Sequence, residues 1–206
     1  MEPVYTATPQ RSASTVVTDY LATLHAAMTA IPTDVFDAAV RVLRHARSHD
    51  ATVLFVGNGG SASTASHFAA DLAKNTQHPK YGRFRTICLS DNVALFSAWA
   101  NDEGYENVFL QGAKTHLRPN DVLVAISGSG NSENVLRAAK YARDIGCEVI
   151  GLGGFAGGKL RDLCTVSIVI PAATIEVAED GHLIINHAFC TAIRALDSVD
   201  VDPVTG

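Results

Sequence analysis

At 206 residues, 47% hydrophobic and 18% charged, the chain has the size and balance of one globular domain with a substantial core, and nothing in it approaches the roughly 18 consecutive apolar residues of a membrane span. Its formal net charge of -5, with basic residues dispersed, excludes wide contact with a nucleic-acid backbone but leaves room for a small anion held by backbone N–H groups. The first 18 residues lack a basic segment followed by an apolar one, so no secretory leader is expected and a cytoplasmic location follows.

Residues 1–11 are polar and hold two prolines, which predicts a loose arm. From Ser14 onward, Val17, Tyr20, Leu21, Leu24 and Met28 recur at helical spacing. Pro32 ends that helix and Thr33 is the expected N-cap of a second, which carries Val35, Phe36, Ala39, Val40 and Leu43 and finishes near His49. Short, wholly apolar runs then predict strands at 52–56, 85–89, 121–126, 148–152 and 166–170, each leading to a loop and a helix. One long helix is expected from about Ile175 to Leu196. Such alternation predicts a doubly wound α/β domain, with a mostly parallel five-stranded sheet flanked by helices. The domain should span 12–200, with 12–50 as an N-terminal helix pair and 201–206 as a tail. The four cysteines, Cys88, Cys147, Cys164 and Cys190, stand far apart without a C-x-x-C pair and read as reduced core residues.

Two strand ends carry small, hydroxyl-rich loops: Gly57-Asn58-Gly59-Gly60-Ser61 after the first, and Ser127-Gly128-Ser129-Gly130-Asn131-Ser132 after the third. Ligands of open α/β sheets bind outside the carboxyl ends of the strands. Glycines there admit the ligand to the backbone, and N–H groups at a helix start favour negative charge. The hydroxyls of Ser127, Ser129 and Ser132 can each donate to a phosphate oxygen. A dinucleotide reading fits Gly57, Gly59 and Ala62 as G-x-G-x-x-A, but the acidic residue expected about 20 positions on is missing; Asp91 lies too far along.

The first loop runs on as far as His67-Phe-Ala-Ala-Asp71, and Ala100-Asn-Asp-Glu-Gly-Tyr-Glu-Asn-Val-Phe109 lies between the two loops. Together these segments closely resemble the bacterial phosphoheptose isomerases of the sugar isomerase (SIS) superfamily, over about residues 15–198. The Ser-Gly-Asn-Ser loop belongs to the superfamily, whereas GNGGS…HFA and Asn-Asp-x-Gly-Tyr point to the heptose branch. The resemblance implies conversion of sedoheptulose 7-phosphate to an aldoheptose 7-phosphate by a homotetramer with active sites between subunits. It implies phosphate contacts from Ser127, Gly128, Ser129 and Ser132, aided by Asn58, Gly59 and Ser61, and a sugar contact from Asp102. It further implies a Zn2+ ion held by four side chains, which here are His67, Asp71, Glu179 and His187. The carboxylate of Asp71 and the imidazole of His187 double as proton-transfer groups.

His67 and Asp71 are four apart on a predicted helix and so share one face. Glu179 and His187 are eight apart, a net turn of about 80°, which lets both side chains converge on one point. Two imidazoles and two carboxylates suit zinc, although a His-x-x-x-Asp pair taken alone is more often a surface hydrogen bond. His182 is expected to pack or to orient its neighbours; His25, His45, His49, His78 and His116 are expected to be solvated. The chain departs from the family in having Asp71 for a glutamate, Glu179 for a glutamine, Glu176 for an aspartate and Lys74-Asn75 where relatives carry an arginine. Aldose–ketose isomerisation needs a base near the carbon proton, an acid near the carbonyl and a stabilised enediolate; Asp71 as base and His187 as acid supply the first two. Isomerisation of a different ketose phosphate is the first alternative. The second is a non-catalytic phosphosugar-binding protein, such as the SIS-type partner of a bacterial replication initiator.

Overall fold

The computed structural model describes residues 11–199; the arm up to residue 10 and the tail at 201–206 lie outside the described residues. Helix α1 (Ala13–Thr29) starts where the Ser12 hydroxyl accepts the Thr15 N–H at 3.2 Å. Helix α2 (Asp34–Ser48) starts after Thr33, as expected, but the Thr33 side chain makes no cap; Asp34 and Asp37 in the first turn and His45 and Arg47 in the last complement the helix dipole instead.

Five strands form one sheet: β1 (Thr52–Val56), β2 (Arg85–Cys88), β3 (Val122–Ser127), β4 (Glu148–Gly154) and β5 (Val166–Ile170). Their order is β2-β1-β3-β4-β5, and every pairing is parallel. Between them run α3 (Gly60–Asn75), α4 (Val93–Glu103), α5 (Val108–His116) and α6 (Glu133–Asp144), with short 3-10 turns at Tyr105–Asn107 and Lys159–Leu163; α7 (Ile175–Val199) closes the chain. The third strand begins one residue later than its sequence suggests. Asp121 is diverted by its carboxylate, which accepts the backbone N–H groups of Thr52 and Arg118, each at 2.7 Å.

Adjacent strand residues point to opposite faces, so the continuous apolar runs build two cores. Phe55, Val124 and Leu152 join α1, α2, α3 and α7 on one face, around Phe68, Leu72 and Phe189. Leu54, Leu123 and Val149 join α5 and α6 on the other, around Phe109 and Val135. The four cysteines are free, three buried and Cys164 half-buried, and desolvation pushes their thiols up to about 11 or 12. His78 departs from expectation. It is half-buried and stacked on Tyr81 at 4.9 Å, its Nδ1 accepting from the N–H groups of Lys80 and Tyr81.

Strand order reverses direction between β1 and β3, the strands followed by the two hydroxyl-rich loops. In a doubly wound sheet of this order, that switch point is where the crevice opens.

Candidate functional site

The loop after β1 turns through Gly59, whose φ of +53° lies in the left-handed region, and enters α3 with no side-chain cap. The loop after β3 enters α6 in the same way. Ser132 stands at the N-cap, yet its hydroxyl pairs with that of Ser127 at 3.2 Å instead of capping the helix. Both helix starts therefore keep backbone N–H groups for an anion. The second loop is braced from behind. Asn131 accepts the Lys159 N–H at 3.1 Å, Gly130 accepts the Leu160 N–H at 2.9 Å, and Gly130 itself sits at φ +64° against the Gly157 backbone. Ser129 is exposed at the tip with its Oγ accepting the Asn131 N–H, while Ser61 and Ser127 are buried.

The two loops are tied together through Asn58, by partners to which the sequence assigned no role. Asn58 and Asn134 exchange amide hydrogen bonds in both directions, each 2.9 Å, and Tyr105 donates its hydroxyl to Asn58 Oδ1 at 2.8 Å. Asn134 is buried, so the reciprocal pair satisfies groups that would otherwise be costly to desolvate. For Tyr105, the Asn-Asp-x-Gly-Tyr run that it ends offered a hint in sequence. Asn134 lies in a helix start whose register only the fold reveals.

Further along α3, His67 and Asp71 meet His187 from α7. One ligand atom from each lies within 4.8 Å of the other two. Asp71 Oδ2 stands 3.3 Å from His67 Nε2 and 3.7 Å from His187 Nε2, and the imidazole rings meet edge to face at 5.0 Å. Ligand atoms of a tetrahedral zinc stand about 3.3 Å apart at ordinary bond lengths, so these three residues fit such an ion. The Asp71 side chain is 16% exposed whereas those of His67 and His187 are 46% and 54%, so the imidazoles face solvent and the carboxylate backs them.

Glu179 was expected among these ligands and stands elsewhere. Its carboxylate lies over the start of α3, where a Cβ on Gly60 would fall 2.4 Å from Oε2. Gly60 is about 10 Å along α3 from His67, and Glu179 about 12 Å along α7 from His187. The net rotation puts the two on related faces, but the axial rise separates them. A carboxylate at a helix N-terminus is favourably placed. Asp102 lies at the exposed end of α4, paired with the Asn101 amide at 2.9 Å. Glu176, in the first turn of α7, is held below the usual carboxylate range by its own backbone N–H and by Thr174.

His182 is buried, as its expected packing role requires, and neither ring nitrogen has a hydrogen-bond partner of good geometry. Desolvation pushes its pKa down to about 4, partly offset by the backbone of Gly153, so it is a neutral imidazole at physiological pH. A cavity of about 690 Å³ is at the opposite end of the sheet beside Thr52 and Arg85. Its charged side chains are already engaged: Arg85 bonds to Asp50, Arg118 donates to the carbonyls of Thr115 and Leu117, and both Asp121 oxygens accept backbone N–H groups.

Comparison with known proteins agrees with this architecture. The SIS domain family matches residues 18–154. The lincomycin biosynthesis protein LmbN of Streptomyces lincolnensis is 45% identical over 169 residues, 77% of this chain; the match spans 62% of that longer relative. The phosphoheptose isomerases of Aliarcobacter butzleri and Helicobacter hepaticus are 38% and 37% identical, with 68% and 79% of this chain matched to 74% and 83% of theirs. Among solved structures, the phosphoheptose isomerase of Neisseria gonorrhoeae superposes with a TM-score of 0.82 at 29% identity, covering 89% of this chain and all of that one. On a family match over most of its length and relatives above 30% identity, the chain belongs to the SIS-domain family and groups there with the phosphoheptose isomerases.

Proposed function

We propose that the protein interconverts sedoheptulose 7-phosphate and an aldoheptose 7-phosphate. The observation that carries this reading is the convergence of His67, Asp71 and His187 on the helices that also frame the anion-ready loops of the switch point. The phosphate is held by the uncapped start of α6 with the hydroxyls of Ser129 and Ser132, and Asn58 and Ser61 border it from the first loop. Anchoring the phosphate supplies binding energy remote from the reacting carbons that aligns them. The Asp71 carboxylate accepts the C1 proton of the ketose and returns a proton to C2, while the His187 imidazole handles the proton exchanged between the C1 and C2 oxygens. Glu179, an acceptor-only group at the mouth of the first loop, suits a sugar hydroxyl. A zinc ion, held by His67, Asp71 and His187, would supply polarisation of the hydroxyl–carbonyl pair.

Exposed apolar side chains on α1 (Val17, Leu21) and α7 (Ile184, Leu196) support assembly, and the family expectation is a tetramer. Among the described residues no helix is long and apolar enough to cross a membrane. The similarity to the lincomycin biosynthesis protein favours a second reading, in which the same chemistry serves a sugar phosphate of a specialised metabolite.

The test is incubation with sedoheptulose 7-phosphate in D2O, followed by NMR. The expected product is an aldoheptose phosphate deuterated at C2, formed on the order of a hundredfold more slowly or less by Asp71→Asn and His187→Ala. Product from a ketose phosphate of another chain length, in preference to the heptulose, would select the second reading. Phosphosugar binding without any C1 or C2 exchange would reject both in favour of a binding protein.

A further inference from the structure

The two oxygens of Asp71 are divided between different partners. Oδ2 faces the imidazoles of His67 and His187, while Oδ1 accepts a hydrogen bond from Asn75 Nδ2 at 2.8 Å. A second amide, Asn186 Nδ2, approaches Oδ2 at 3.5 Å, the NH2 end facing the accepting carboxylate, and Asn186 Oδ1 in turn accepts from the Cys190 thiol at 3.7 Å. His67, Asp71 and Asn75 recur every four residues on one face of α3. Asn75 is its last residue, with its side chain exposed. An aspartate has one fewer rotatable bond than a glutamate, and its carboxylate plane turns freely about χ2 unless something holds it. With Oδ1 bonded to Asn75, one orientation remains in which Oδ2 alone meets both imidazole nitrogens.

We infer that Asn75 is a positioning residue for Asp71, fixing the carboxylate so that a single oxygen is presented to the two histidines. This inference rests on the reading of the site given above. Partners that orient a ligating carboxylate typically account for 10–100-fold in metal affinity. Asn75 also sits outside both cores, so its removal leaves the packing intact.

The test measures zinc affinity of the full chain by competition with a chromophoric chelator, alongside kcat and KM. Asn75→Ala should weaken zinc binding tenfold or more and lower kcat while KM for the phosphosugar changes less than threefold. Asn75→Gln keeps an amide donor and should recover most of both losses. Zinc affinity of Asn75→Ala within twofold of the parent would overturn the inference, as would a loss that Asn75→Gln shares in full. Asp71→Asn separates the two levels of argument. If it abolishes zinc binding and Asn75→Ala does not weaken it, only the positioning role fails. If it leaves zinc binding and isomerisation unchanged, the reading of the site itself fails and the inference falls with it.

Discussion

Arg47 and Asp197 form a buried clamp at the far ends of the two helices that carry the histidine–aspartate cluster, and breaking it should be felt across the domain. Arg47 Nη2 meets Asp197 at 2.8 Å, while Nη1 donates at 2.8 Å to the carbonyl of Thr76, the C-cap of α3. Arg44 adds a second cation 3.3 Å from Asp197, and the Arg47 guanidinium lies over the rings of Phe84 and Tyr81, 5.0 and 5.4 Å from their centroids. One side chain thus ties α2 to the ends of α3 and α7. Asp197→Ala leaves the Arg47 guanidinium buried without its counter-charge. Such one-sided breaks cost about 3–5 kcal/mol, or roughly 6–20 °C in melting temperature for a domain of this size. The assay is denaturant unfolding at fixed protein and metal concentration. The double variant Arg47→Met, Asp197→Leu should recover much of the loss, since replacing both charges by apolar groups of similar volume is often neutral. A loss below about 1 kcal/mol in Asp197→Ala would refute the reasoning, because it would mean that water reaches the guanidinium and the pair is no more than a surface contact.

The glycines of the two loops should separate backbone strain from steric collision. Gly130→Ala combines φ +64° with a Cβ 2.0 Å from the Gly157 carbonyl oxygen, whereas Gly59→Ala combines φ +53° with open space; thermal melts should show about 1 kcal/mol lost at Gly59 and several times that at Gly130. Tyr105→Phe removes the donor to Asn58 without disturbing either core, and steady-state kinetics should show a severalfold higher KM with an unchanged melting temperature. His182 has its folded pKa depressed to about 4 from 6.5. The unfolded chain therefore binds the extra proton first, so stability is full above pH 6.5 and declines as pH falls from 6.5 towards 4. In metal-free protein, His182→Leu should remove about 3 kcal/mol of that decline, read from unfolding curves across the window. With their thiols pushed up to about 11 or 12, the four cysteines should resist alkylation at pH 7.5 until the protein is unfolded.

The sequence by itself determined the layered α/β architecture, because strands buried on both faces must be continuously apolar and helices with one buried face must show a 3.6-residue period. It located all five strands to within two residues at either end, and it marked the glycine–serine loops after β1 and β3. These are local properties: residue type, spacing and the conformational freedom of glycine act over a few positions. The pairing of His67 with Asp71 was legible for the same reason, both being on one helix. Tertiary structure alone decided which long-range partners joined them. Nothing in the spacing of α7 distinguishes His187, which reaches Asp71, from Glu179, which rises past the cluster to the start of α3. Periodicity gives the angle around a helix but not the level at which a second helix crosses it. The reciprocal amides of Asn58 and Asn134, the tether from Asn75 and the Arg47–Asp197 clamp were likewise invisible. A buried polar side chain declares its role only through the partner that satisfies it, and in these cases the crossing of helices or of strand ends brings that partner within reach.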